Sequence, residues 1–147
     1  MSAPLAFTLG ELRAYLTDIF PETWASGLFE IEAIGPMEAR LRLVFHPRQL
    51  RPGGTISGPS LFALADLALY VAILAEIGRS PLAVTTNLNI NFLRKPAPGD
   101  VIGEARLMKL GKRLAVGEAA LRSAGDSDLC AHAVGTYSIP PRAEEVS

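Results

Sequence analysis

From Gly58 to Ala75 the chain reads GPSLFALADLALYVAILA, and apart from the phenol of Tyr70 its only ionisable side chain is Asp66. Proline is well tolerated in a first helical turn, and the residue before it resists helical dihedrals, so Gly58-Pro59 marks a helix start. The apolar run Leu61 to Ala75 is 15 residues long, whereas a membrane span needs ~20 and a central Asp costs ~3 kcal/mol there. The stretch therefore reads as the core helix of a domain. A helix apolar on every side is not satisfied by laying one face on an open sheet, so it has to be wrapped.

The flanking sequence supplies the wrapping. Upstream, Phe29, Ile31 and Ala33 alternate with Glu30 and Glu32; after Gly35-Pro36, Met37, Ala39, Leu41, Leu43 and Phe45 alternate with Glu38, Arg40 and Arg42. This is a β-hairpin with one buried face. Downstream of Gly78, strands are expected over about 82–93, 101–110, 114–122 and 129–139, separated by turn-rich Pro96–Asp100, Gly111-Lys112 and Ser123–Asp128. In the first of them Val84, Thr86, Leu88, Ile90 and Phe92 share one face, and Thr85, Asn87, Asn89 and Asn91 the other. The segment His46–Ser57, with Pro47, Pro52, Gly53 and Gly54, reads as loop.

At the start, Thr8 and Glu11 have capping-box spacing, Phe7 and Leu12 form a hydrophobic staple, and Leu12, Tyr15, Leu16, Ile19 and Phe20 make a stripe that Pro21 stops. That gives a short helix over about 9–20. The expectation is α+β: about six mostly antiparallel strands curved around one central helix, in a single domain over 1–147 with its core at about 29–140 and a polar tail at 142–147. The exposed edge of such a sheet is best resolved by a second copy, so a homo-oligomer is expected.

Composition narrows the function. The chain has 147 residues, 49% hydrophobic and 20% charged, with 14 basic and 15 acidic side chains and a net charge of -1. That length allows burial of roughly two-thirds of the unfolded surface, and the charge balance argues against disorder and against a phosphate-backbone binder. Nucleic acid is not an expected partner. One cysteine, Cys130, rules out an internal disulfide framework and a cysteine-rich metal site, which fits a reducing cytoplasm. Met1–Phe20 lacks a basic start followed by an apolar core, so no signal peptide is read there.

Chemistry centres on Asp66, because an unpaired buried carboxylate is costly and needs partners, water or a task. The second feature is Ser57-Gly58-Pro59-Ser60 at the helix start, where N–H groups without intrahelical partners and the helix dipole can hold an oxygen as it becomes an oxyanion. Eight residues of helix separate Gly58 from Asp66, about 12 Å at 1.5 Å per residue. They cannot act on the same atom from one chain, so a carboxylate beside a carbonyl held at Gly58 has to come from another. His46 and His132 have no metal-ligand company, Ser57 and Ser60 lie in no G-x-S-x-G elbow, and Gly53-Gly54 matches no phosphate or dinucleotide loop.

At these residues the sequence resembles the hotdog-fold acyl-CoA thioesterases of the phenylacetate-degradation (PaaI-like, 4-hydroxybenzoyl-CoA thioesterase-related) family. The carriers are SGPSLFALAD at 57–66, VTTNLNINFLR at 84–94, Pro98-Gly99-Asp100, GKRLAV at 111–116 and AHAVGTY at 131–137. The resemblance spans about 29–140. It implies that Gly58 supplies an oxyanion-hole N–H, that Asp66 is the catalytic carboxylate, and that Thr85 helps to hold the attacking water. It also implies dimers that pair their sheets and dock into tetramers, each site drawing on two chains. No cofactor is implied, since coenzyme A is part of the substrate.

Three positions depart from the family pattern: Ser57 stands where His is usual, Pro59 replaces a second Gly, and Arg51 sits where an Asn often contributes. Pro59 has no N–H to donate, so the hole rests on Gly58 and the helix end. Ser57 offers a hydroxyl for the imidazole, and Arg51 can meet a carboxylate or phosphate. The resemblance leaves two routes for Asp66, activating water or attacking directly. Arg94, Lys95, Lys109, Lys112 and Arg113 are candidates for a basic rim facing the nucleotide end of coenzyme A. Leu61, Phe62 and Tyr70 are candidates for the acyl-pocket wall, and Asn87 and Asn89 for polar substrate contacts. The alternative is a non-catalytic acyl-CoA-binding protein of the same fold, favoured by Ser57 and Pro59. A hotdog dehydratase asks for a histidine paired with an acid, and neither His46 nor His132 is placed for that. A purely structural oligomer leaves Asp66 without a reason.

Overall fold

The Thr8 side chain accepts a hydrogen bond from the Glu11 N–H at 3.1 Å, and the Glu11 carboxylate accepts one from the Thr8 N–H at 2.8 Å. This capping box opens α1 (Leu9–Ile19). The structure, a computed structural model, describes residues 4–141; the expected tail at 142–147 lies outside them. Phe7, Leu12 and Leu16 are buried, as the staple and stripe require. Ile19 and Phe20 are instead exposed, because Phe20 caps the helix with non-helical dihedrals (φ −144°, ψ 61°) and turns the chain away. Pro21 does end α1, yet it also opens a single further turn, α2 (Pro21–Trp24), since its fixed φ suits a first helical position.

The expected hairpin is β1 (Phe29–Gly35) and β2 (Glu38–Leu43). They pair antiparallel from Phe29↔Leu43 to Gly35↔Glu38, with a bulge between Ile31 and Ala33. Within the segment read as loop lie a 3-10 turn, Pro47–Gln49, and a two-residue ribbon of β3 (Leu50–Arg51) with β4 (Thr55–Ile56). The long helix α3 (Gly58–Ile77) follows, then β5 (Val84–Phe92), β6 (Val101–Leu110), β7 (Leu114–Ser123) and β8 (Leu129–Ser138). Strand β5 starts at Val84 rather than Leu82 because the Ala83 N–H closes a turn on the Ser80 carbonyl at 3.1 Å.

Six strands form one sheet in the order β1-β2-β6-β7-β8-β5, with every pair antiparallel. Helix α3 lies across it. By length and mean hydropathy α3 could cross a membrane, but here it is the core helix, with Leu64, Leu69, Val71, Ile73 and Leu74 shut off from solvent. Burying each such side chain is worth about 1.5–3 kcal/mol. The sheet presents small residues to the helix: Ala105, Ala115, Ala119, Ala131 and Ala133 are buried. A Cβ on Gly117 would lie 2.7 Å from Leu69 Cδ2, and one on Gly135 would lie 2.7 Å from Leu88 and 2.8 Å from Leu69. The glycines let the helix approach that closely.

Asp100, from the Pro98-Gly99-Asp100 motif, ties the hairpin to the turn before β6. One carboxylate oxygen accepts the Phe45 N–H at 2.7 Å and the other accepts Arg42 Nη1 at 3.0 Å, while Arg42 Nε reaches Glu32 at 2.7 Å. Its role in the chain is structural.

Gly117→Ala is expected to destabilise the protein by about 1–3 kcal/mol, because the new methyl meets the Arg106 carbonyl oxygen at 2.9 Å as well as Leu69. Gly10→Ala, in the exposed first turn of α1 with nothing within 4 Å of the added carbon, is expected to raise stability by up to ~1 kcal/mol. Urea midpoints of the two variants should move in opposite directions.

Candidate active site

Ser57 caps α3 with extended dihedrals (φ −70°, ψ 152°). Its hydroxyl accepts the Ser60 N–H at 3.4 Å and lies 3.0 Å from the Ser60 hydroxyl. Pro59 has no N–H, and the Leu61 N–H makes the first helical bond, to the Ser57 carbonyl at 3.2 Å. The N–H of Gly58 is the first-turn donor left without a partner among the described residues. Three hydrogen bonds hold the approach to this turn: Ser57 N–H to the Gln49 carbonyl at 2.7 Å, Ile56 N–H to the Pro96 carbonyl at 3.1 Å, and Gln49 Nε2 to the Val44 carbonyl at 3.0 Å. Gln49 is buried, and nothing in the loop composition marks it. The ring of Phe92, at the end of β5, sits over the helix start, 3.3 Å from where a Gly58 Cβ would be.

Two turns further along α3, half-buried Asp66 holds two hydroxyls on one oxygen. Its Oδ1 accepts Thr85 Oγ1 at 2.6 Å and the Tyr137 hydroxyl at 2.6 Å, and that same phenol lies 2.8 Å from the Asp66 main-chain carbonyl. No hydrogen bond reaches Oδ2 among the described residues. Thr85 and Tyr137 are cross-strand neighbours in the β5–β8 pair. Strict alternation puts Thr85 on the face of the asparagines, away from the helix; the structure corrects this, because a bulge between Thr85 and Asn87 turns Thr85 inward with Leu88 and Ile90. A bulge of this kind adds one residue and re-aims a side chain.

Tyr137, whose hydroxyl meets Asp66, is a contact of the candidate site that the sequence reading missed. A usable signal was present: it ends the inward row Ala131, Ala133, Gly135 of β8, and a phenol beside a small-residue floor needs a polar partner inside. Burial first, and then the Asp66 carboxylate, push its phenol far above the usual range. Burial also pushes Tyr70 up to about 12; its ring lies 6.3 Å from that of Tyr137, and its hydroxyl donates to the Pro81 carbonyl at 3.2 Å.

The remaining candidates scatter. Phe62 is 39% exposed beside the helix start, whereas Leu61, expected on a pocket wall, is 2% exposed and belongs to the core. Arg51 and Pro59 are exposed near the Gly58 end. Asn87 and Asn89 lie on the outer face of β5, opposite Asp66, because Leu88 and Ile90 take the inner positions. Arg94 is held by Asp128 at 3.3 Å and Asp126 at 4.0 Å. Lys112 and Arg113 share a cleft with Glu76 and Ile77 at the C-terminal end of α3, about 30 Å of helix from Gly58. One chain therefore does not assemble them, or Lys109 beside them at the end of β6, with Arg94 and Lys95 into a continuous basic rim. Among the described residues no group of three His, Cys, Asp or Glu is placed to hold a metal ion.

Comparison with known proteins agrees with this architecture. The sequence pattern of the thioesterase superfamily matches residues 53–130. A crystal structure from Silicibacter sp. TM1040, named as a thioesterase, superposes with a TM-score of 0.85 at 50% identity, covering 93% of this chain and 94% of that one. The phenylacetic acid degradation protein PaaI of Thermus thermophilus, solved as a point mutant, gives a TM-score of 0.70 at 27% identity, covering 82% of this chain and 99% of its own. A Saccharolobus solfataricus protein that carries an esterase name is 33% identical over 110 residues, 75% of this chain and 72% of its own length.

All three tyrosines, Tyr15, Tyr70 and Tyr137, have phenols raised by burial. A group raised in the folded state contributes stability that is intact below its unfolded value and is lost as pH climbs above it. Absorbance titration should therefore show Tyr70 and Tyr137 still neutral at pH ~10. Their ionisation is expected to appear together with the loss of far-UV ellipticity as the pH is raised further.

Proposed function

The chain belongs to the thioesterase superfamily, with the hotdog fold, and from that premise we propose that it hydrolyses acyl-CoA thioesters to a free acid and coenzyme A, in the manner of the PaaI-like group. The observation that carries this reading is the pairing of one unspent N–H, at Gly58, with one carboxylate whose Oδ1 is fully engaged and whose Oδ2 is open, at Asp66. The thioester carbonyl lies against the Gly58 N–H, and the helix end stabilises the oxyanion as it forms. Asp66 either takes a proton from water or attacks the carbonyl itself, and Thr85 holds the carboxylate in place. The reading invokes no metal or organic cofactor and places the protein in the cytoplasm.

Gly58 and Asp66 are too far apart along α3 to meet in one chain, and the sheet edge supports a route around this. Among the described residues strand β5 pairs only with β8, so its other edge is open there. Apolar side chains flank it: Leu82, Val84 and Phe92 are 75%, 56% and 54% exposed. An edge of this kind is completed by a second strand. Phe92 marks the Gly58 end of β5 and Thr85 the Asp66 end, so antiparallel pairing of β5 with its copy sets Gly58 of one chain beside Asp66 of the other. Two equivalent sites per dimer follow, and docking of dimers into tetramers is compatible with them.

The second reading, an acyl-CoA-binding protein without turnover, is favoured by Pro59, which removes one donor from the helix start. Thiol release from a panel of short, medium, long and aryl-acetyl CoA thioesters separates the two. We expect release on at least one member, and a loss of about 10²–10⁴-fold in both Asp66→Ala and Asp66→Asn with the fold intact. Saturable binding without release by the wild type selects the second reading. Near-native rates in both variants sink the assignment of Asp66. Sedimentation is expected to show a dimer or tetramer, converted to monomers and inactivated by Leu82→Glu combined with Val84→Glu.

A further inference from the structure

Asp66 does not present two equivalent oxygens. Thr85 and Tyr137 both donate to Oδ1, at 2.6 Å each, while no hydrogen bond reaches Oδ2 among the described residues. The Tyr137 hydroxyl has a second acceptor within reach, the Asp66 main-chain carbonyl at 2.8 Å. A phenol carries one hydrogen, so it serves one of these acceptors at a time. The ring that carries it is 3% exposed, shut in at the end of β8, and a buried hydroxyl without an acceptor is costly.

We propose that Tyr137 is a positioning residue of the thioesterase site: its hydroxyl, with that of Thr85, occupies Oδ1 of Asp66 so that Oδ2 alone faces the chemistry, and its hydrogen turns to the Asp66 main-chain carbonyl while Asp66 is neutral. The proposal rests on the reading of Asp66 as the catalytic carboxylate. In the water route, Oδ2 takes one proton as the water oxygen bonds to the thioester carbon. The carbon–sulfur bond then breaks, and the proton passes from Oδ2 to the departing sulfur, giving a carboxylic acid and a thiol. Between those steps Oδ1 has lost its charge and is a weaker acceptor. The carbonyl at 2.8 Å means the phenol hydrogen always has a partner. Direct attack by Oδ2 makes the same demand on Oδ1.

The groups facing Asp66 are few. Thr85 reaches it from β5, Tyr137 from β8, and Tyr70, on the next turn of α3, lies tilted beside Tyr137 with 6.3 Å between ring centroids. Among the described residues no cation forms an ion pair with it. Within the chain, hydroxyl donors are therefore what hold it.

Tyr137→Phe keeps the ring and deletes the hydroxyl. We expect kcat to fall about tenfold with KM unchanged within about twofold. A tyrosine that only packed would leave kcat in place once the fold is intact. Tyr137→3-fluorotyrosine, a stronger donor of nearly the same shape, draws more charge from the carboxylate and should lower kcat about two- to threefold with KM unchanged, which keeps the test decisive if the phenylalanine variant folds poorly. An active wild type whose kcat is unchanged under both substitutions, or whose KM alone changes, overturns the proposal while leaving Asp66 catalytic. A wild type with no thiol release from any thioester overturns the functional reading and this proposal with it.

Discussion

A helix apolar on every side loses contact with water only when something closes over most of its circumference, and in this protein the closure works because the sheet has a low floor. Gly117 and Gly135 on β7 and β8 leave no room for a Cβ beneath Leu69, Gly103 on β6 leaves little beneath Leu64, and alanines fill the neighbouring positions. Close-packed interiors gain from many weak contacts at short range. Larger residues on the strands would lift α3 away and open it to solvent. The burial of α3 and the position of the site both follow from that approach.

The same closeness makes Asp66 tolerable. A carboxylate in the middle of such a helix would normally be a strong penalty, but the strand side supplies two hydroxyls at hydrogen-bond distance, one from each of two adjacent strands. The bulge in β5 brings the first inward. The alternation of β8 brings the second. A site built this way is rigid, since Thr85 and Tyr137 are fixed by the sheet, and a well-held first contact is what a catalytic carboxylate needs. On the proposed reading, the sheet that buries the helix also aims its one charged group.

The two ends of β5 have different neighbours. Its start lies by Asp66, its finish covers Gly58 with the Phe92 ring, and among the described residues its outer edge has no strand beside it. A two-fold partner on that edge exchanges the ends, so the proposed oligomer and the proposed chemistry depend on the same strand. The basic side chains divide differently: Arg94 is engaged by acidic neighbours in the β7–β8 turn, and Lys112 and Arg113 stand at the far end of α3.

Much of this was legible in the chain itself. The capping box at Thr8, the two-residue alternation of the strands, Gly58-Pro59 as a helix start and the isolation of Asp66 are local or periodic features, and short-range geometry decides them. The inward turn of Thr85 was not legible, because a bulge breaks the alternation from which faces are read, and its place depends on pairing with β8. The partner of Asp66 was not legible either: Tyr137 is 71 residues away, and only sheet order brings the two together. Leu61 entered the core rather than a pocket wall for the same reason, since the helix is surrounded and its sides are allotted by what packs on them. Local pattern in the chain was enough to settle α1, α3 and the six strands of the main sheet, and which carboxylate interrupts the apolar run of the central helix. Which hydroxyls meet that carboxylate, and which of its oxygens stays open, was left to the folded arrangement, because those contacts join strands distant along the chain and are set by register, bulge and close packing.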